Sequence, residues 1–137
     1  MTLAFQADGQ DVTPKPAPTR VITIPAQAPV ITKVTASHTG SGIEVDITGF
    51  SNTRDMTNAT FTFQAATGTT LTNSQVTVTA DQLFATWYSD PTSTTYGSQF
   101  TFAQPFTLSG NVSGIAGVSV TLTNPQGTSS AATATVQ

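Results

Sequence analysis

A series of short runs alternates apolar residues with threonine, serine or another polar residue, clearest at 42–48, 60–64, 75–79, 99–102 and 117–123. Successive side chains of an extended strand point to opposite faces, so each run can bury one side and wet the other. Runs of this kind, separated by turn signals, predict an antiparallel sandwich or barrel. The inward set is expected to be Ile43, Val45, Ile47, Phe61, Phe63, Val76, Val78, Phe100, Phe102, Phe106, Val118, Val120, Leu122 and Val136, joined by Phe84 and Trp87. The reading is an all-β antiparallel sandwich of about seven or eight strands with one short helix, preceded by an N-terminal two-strand arm.

Strands are expected near 30–37, 42–50, 57–65, 74–79, 97–103, 105–109, 116–123 and 128–136. The fifth and sixth of these read as one bent strand kinked at Pro105, which suits an edge or a bulge. Residues 38–42 and 124–127 look like hairpin turns, the second with Pro125 at i+1 of a type I turn. One segment leaves the period of two. Thr79, Ala80, Asp81 and Gln82 have the form of a capping box, and Leu83, Phe84 and Trp87 then share a helical face. This predicts two turns of helix over 80–88, stopped at Asp90-Pro91, with a Thr/Ser-rich loop at 91–96.

Residues 1–27 read as an arm or linker and 28–137 as the sandwich. Within the arm, 2–7 is expected to be a strand, Asp8-Gly9 a turn, 13–18 a polyproline-like stretch and 20–24 a second strand stopped by Pro25. Leu3 and Phe5 share one strand face, as do Ile22 and Ile24. Two strands alone are marginal in water, so the arm needs cover from its own sandwich, a neighbouring domain or another copy. Leu3, Phe5, Val21, Ile22 and Ile24 are therefore the candidate intersubunit strand residues, with head-to-tail strand complementation as the mode.

Composition narrows the function. The 137 residues suit one domain, and 37% apolar content with eight Phe can fill one core. Only 8% of residues are charged, while 29 Thr and 12 Ser carry the solubility. This pattern recurs in secreted and cell-surface β-modules. Four basic residues (Lys15, Arg20, Lys33, Arg54) are scattered, and the net charge is −3. That disfavours nucleic acid, which needs a basic stripe. No run approaches the length of a membrane span. Cysteine is absent, which removes disulfides, thiolate metal sites and Cys nucleophiles. Met1 to Phe5 lack the basic start and long apolar core of a signal peptide, so an exported form is expected to be mature or a fragment.

No constellation of catalytic groups stands out. His38, the single histidine, falls in a turn without a nucleophile or further ligands near it in sequence. Glu44 and Asp46 share the wet face of one strand, where charges ordinarily belong. Asp8 to Asp11 matches only fragments of a calcium loop and reads as an Asp-Gly turn. Arg54-Asp55 suits local pairing or capping of loop carbonyls. Trp87, Tyr88 and Tyr96 gather around the helix, so they are the candidate glycan contacts, with core plugging as the competing role for Trp87. Asn58 and Asn111 each open a glycosylation sequon. No cofactor and no enzymatic activity are expected.

From Pro29 onward the chain resembles the immunoglobulin-like or fibronectin type III-like modules of large bacterial secreted and surface proteins. The residues that carry the resemblance are 48–51 with Arg54, Phe61 to Phe63, Phe84 to Tyr88, Tyr96 to Phe102, Gln104 to Phe106, and Val118 to Asn124 with Gly127. The Cys–Trp–Cys hallmark of antibody domains is absent. The resemblance implies an immunoglobulin-like sandwich acting as a spacer or adhesive unit, located extracellularly or at a cell surface. It carries no catalytic residue. Its implied partners are other domains or copies of the same protein, with carbohydrate binding through the surface aromatics as the alternative.

Overall fold

The computed structural model describes residues 3–53, 55–91 and 98–137. In chain order these form β1 (Gln6–Ala7), β2 (Gln10–Asp11), β3 (Val30–His38), β4 (Gly42–Phe50), β5 (Asn58–Ala65), β6 (Gln75–Thr79) and helix α1 (Asp81–Ser89). There follow β7 (Gln99–Thr107), a 3₁₀ turn (Val112–Gly114), β8 (Ile115–Asn124), β9 (Gly127–Thr128) and β10 (Ala132–Thr135). The long strands lie where the alternation is strictest. On β4, Ile43, Val45 and Ile47 are fully buried, and Glu44, Asp46 and Thr48 between them stay half-buried on the other face. β5 and β8 repeat the pattern with Ala59, Phe61 and Phe63 and with Val118, Val120 and Leu122.

Strands β3, β4 and β7 form one antiparallel sheet in that order. Strands β10, β8, β5 and β6 form a second, with β9 hairpinned onto β8. The inward faces share a single core. Phe106 of β7 meets Phe61 and Phe63 of β5 edge-on, with ring centroids 4.8 and 5.1 Å apart. Tight approach within a sheet also needs small residues. A Cβ at Gly42 would overlap the Phe106 carbonyl oxygen across the β4–β7 ladder.

The two open sides between the sheets are closed differently. On one, the end of the chain pairs in parallel with β3 through Ala36 and Val136. The His38 N–H donates to the Gln137 carbonyl at 2.8 Å, and the Gln137 N–H donates to Ala36 at 3.0 Å. On the other, the crossover from β6 to β7 carries α1, whose buried Phe84 packs edge-on against Phe100 at 4.9 Å. One pole of the sandwich gathers the entry at 25–29, the 51–57 loop, α1 and the β8–β9 turn. The opposite pole gathers the 39–41, 66–74 and 108–114 loops and Gln137.

Several local expectations need correction. The helix begins at Asp81, and its N-cap is Ala80 with no side-chain cap bond, so the capping box from Thr79 does not form. Ala80 is held instead by its N–H donating to Thr57 at 2.8 Å, which continues the β5–β6 pairing into the helix start. Leu83 turns to solvent. Phe84 carries the apolar face, with Trp87 and Tyr88, three and four residues on, half-buried beside it. β7 runs through Pro105 with no shift of register against β4. It is the last strand of its sheet, so the missing N–H costs no ladder bond there. The expected strand at 128–136 divides into β9 and β10.

Phe61→Ala is expected to lower stability in urea denaturation by about 3–5 kcal/mol, by opening a cavity where the sheets meet. Leu83→Ala is expected to change it by under about 0.5 kcal/mol. Equal losses at the two positions would overturn this assignment of faces.

Candidate interaction surfaces

The root of the N-terminal arm is fixed by two asparagines. Asn52 donates from Nδ2 to the Pro25 carbonyl at 2.7 Å and accepts at Oδ1 from the Gln27 N–H at 3.1 Å. Asn124, buried at the β8–β9 turn, donates from Nδ2 to the Gln27 carbonyl and to Thr53 Oγ1, both at 2.9 Å. Its Oδ1 accepts the N–H groups of Gln126 at 2.9 Å and Gly127 at 3.1 Å. Both amide hydrogens and both carbonyl lone pairs of Asn124 are thus used. The chain is tied to the sandwich from Pro25 onward, slightly ahead of the boundary expected at residue 28.

The arm beyond that root is organised locally. Asp8 and Gly9, at φ 49° and 76°, close the β1–β2 hairpin, and two positive φ values are what the tightest hairpin turn requires. The Val12 N–H donates to Phe5 at 2.9 Å, the Phe5 N–H to Thr13 Oγ1 at 2.8 Å, and the Leu3 N–H to Pro18 at 3.2 Å. The Asp11 carboxylate accepts from both the hydroxyl and the N–H of Thr13, and these bonds hold its pKa below the ordinary value. Among the described residues the two strands of the arm are therefore Gln6–Ala7 and Gln10–Asp11; the expected strand over 2–7 is seen only at Gln6–Ala7, its residue 2 lying outside the described residues, and 20–24 forms none. Closing a two-residue turn costs less chain entropy than pairing across three prolines that lack N–H groups. Among the described residues, no backbone hydrogen bond joins 20–24 to another segment. Val21, Ile22 and Ile24 are 89, 68 and 76% exposed, and Leu3 and Phe5 are exposed as well.

At the opposite pole a cavity of about 450 Å³ opens between β6 and the end of β7. Phe63, Leu71, Val76, Phe106, Leu108 and Ile115 form its apolar walls, and every lining residue is uncharged. Val76 pairs with the buried Phe61 and so belongs to the inward face of its sheet, yet it is 37% exposed. The expectation that it is core fails because the sheet β3-β4-β7 provides no described strand to cover β6 at that pole.

The aromatic group at the helix is partly assembled in the described structure. The Trp87 and Tyr88 rings lie 4.4 Å apart, and Trp87 also contacts Phe84 and Phe100 at 6.0 and 5.8 Å. The Tyr88 hydroxyl donates to the Ser51 carbonyl at 3.2 Å and to the Thr53 carbonyl. Both rings are half-buried against the core. Tyr96 and Arg54 lie outside the described residues. His38 ends β3, and Glu44 and Asp46 stay on the outward face of β4. Among the described residues no three His, Cys, Asp or Glu side chains gather as metal ligands, and no helix is long and apolar enough to cross a membrane.

Asn124→Ala leaves the Gln27 carbonyl and two turn N–H groups without their partner. It is expected to cost about 1–3 kcal/mol in urea denaturation. The arm responds to acid in the sense set by Asp11. Its lowered pKa means that ionised Asp11 stabilises the hairpin above the ordinary carboxylate value, a contribution lost as pH falls through the lower, folded one. The Thr13 amide resonance is expected to move toward its random-coil position over that acid range while core amides stay unchanged. No protein-family model matches this chain, and no curated protein or solved structure matches it.

Proposed function

We propose that the chain is a non-enzymatic structural and interaction module of an exported bacterial surface protein or fibre, and that it assembles through its N-terminal strands. The observation that carries this reading is the contrast at Pro25. On one side the chain is clamped by Asn52 and Asn124. On the other, Val21, Ile22 and Ile24 are exposed, with no ladder partner among the described residues. Unpaired main chain beside apolar side chains is the requirement that strand addition to another sheet satisfies.

The body at 28–137 reads as an immunoglobulin-like sandwich. Taken from β3 onward, the orders β3-β4-β7 and β10-β8-β5-β6 correspond to strands A-B-E facing G-F-C-C′. Such a body is a scaffold, and its function lies in what its surface presents. The hydroxyl-rich, weakly charged composition and the lack of cysteine suit an exported bacterial module.

Sedimentation velocity over a wide concentration range is expected to show self-association of the full chain, abolished in Ile22→Asp/Ile24→Asp. A monomer at every concentration would overturn the reading.

A further inference from the structure

We propose that Ile22 and Ile24 of one copy seat in the cleft at the opposite pole of the next copy, with residues 21–24 laid along the outer edge of β6. The inference rests on the assembly reading above and names its receptor. Among the described residues, two apolar features that could meet each other lack cover. One is the arm segment, and the other is the cleft walled by Phe63, Leu71, Val76, Phe106, Leu108 and Ile115.

Their chemistry matches. Neither the cleft lining nor residues 21–24 carry a charge. Residues two apart point to the same side of a strand, so Ile22 and Ile24 can enter together. The cleft is within the volume range of sites that engulf a ligand. Beside it β6 ends its sheet, so its outer main-chain groups can pair with an incoming strand. That strand would cover Val76, which already points inward.

Reach decides between a copy's own arm and its neighbour's. Ile22 lies three residues before Pro25, which is clamped at the first pole, so it can travel roughly 10 Å from there. The cleft residue Phe106 pairs with Ile43, at the far end of β4 from Phe50, roughly 24 Å along the strand. A copy's own Ile22 cannot bridge that gap to the Phe106 wall of the cleft. A second copy placed pole to pole can. The contact joins unlike surfaces, so head-to-tail repetition gives a ring where the rotation closes and an open filament where it does not.

The absence of native cysteine makes the test direct. The full-length variants Ile22→Cys and Val76→Cys are mixed and oxidised, with Ile22→Cys and Thr77→Cys as the control, since Thr77 faces away from the cleft on the same strand. Disulfides form only between close Cβ atoms with suitable vectors. The expected result is a covalent heterodimer at least five-fold more abundant for Val76 than for Thr77. Leu71→Glu, placed in the cleft wall with the arm intact, is expected to abolish self-association while the circular dichroism spectrum is kept. Self-association with equal cross-linking at Val76 and Thr77, unaffected by Leu71→Glu, would overturn this receptor and leave the assembly reading standing. Intramolecular cross-linking of an Ile22→Cys/Val76→Cys double variant at high dilution would overturn the seating between copies. Monomers throughout would remove both readings.

Discussion

Everything in this fold hangs on the contact between two sheets that share no hydrogen-bonded ladder along their long strands. Phe106 of β7, edge-on to Phe61 and Phe63 of β5, is where the inward stripes interlock. The aliphatic rows of β4 and β8 fill the space around them. Edge-to-face rings add a directional preference to area burial, which helps set how the sheets lie on each other. Charge plays little part in this, as few charged residues exist. Main-chain pairing, hydroxyl hydrogen bonds and apolar packing carry the structure.

That economy shows in how the edges are handled. The parallel pairing of Ala36 with Val136 stitches one side shut, and α1 plugs half of the other with Phe84. The remaining half, where β6 extends beyond any described cover, is the cleft. The helix belongs to the closure of the sandwich, and its aromatic residues serve that closure through Phe84, Trp87 and the Tyr88 hydroxyl.

The parts of this architecture that follow from local patterning were legible in the residues. A period of two marks Ile43, Val45 and Ile47 as inward whatever lies opposite, and the turns at 38–42 and 124–127 follow from their Gly, Asn and Pro. Val76 shows where that logic stops. Its own strand says inward, but burial also needs a strand across from it, and that depends on the relative widths of two sheets. Asn124 is similar. Its Oδ1 does what an Asn at a turn does locally, whereas its Nδ2 reaches Gln27, which is 97 positions away in the chain. Met56 and Ile115 were missed as core because they sit at strand approaches outside the alternating runs. For the interaction surfaces, the apolar arm could be read from its sequence, while the cleft could not, since its walls come from β5, β6, β7, β8 and two loops.

The parallel pairing of the chain's last residues with β3 has a mechanical meaning. β3 leaves the pole where the arm is rooted, and the final strand runs alongside it toward the other pole. Tension applied between Pro25 and Gln137 therefore pulls these two segments past each other along their length, and does not peel them apart bond by bond. In that geometry the bonds of His38 and Gln137 share the load at once. Force between these two points would therefore load main-chain hydrogen bonds in shear.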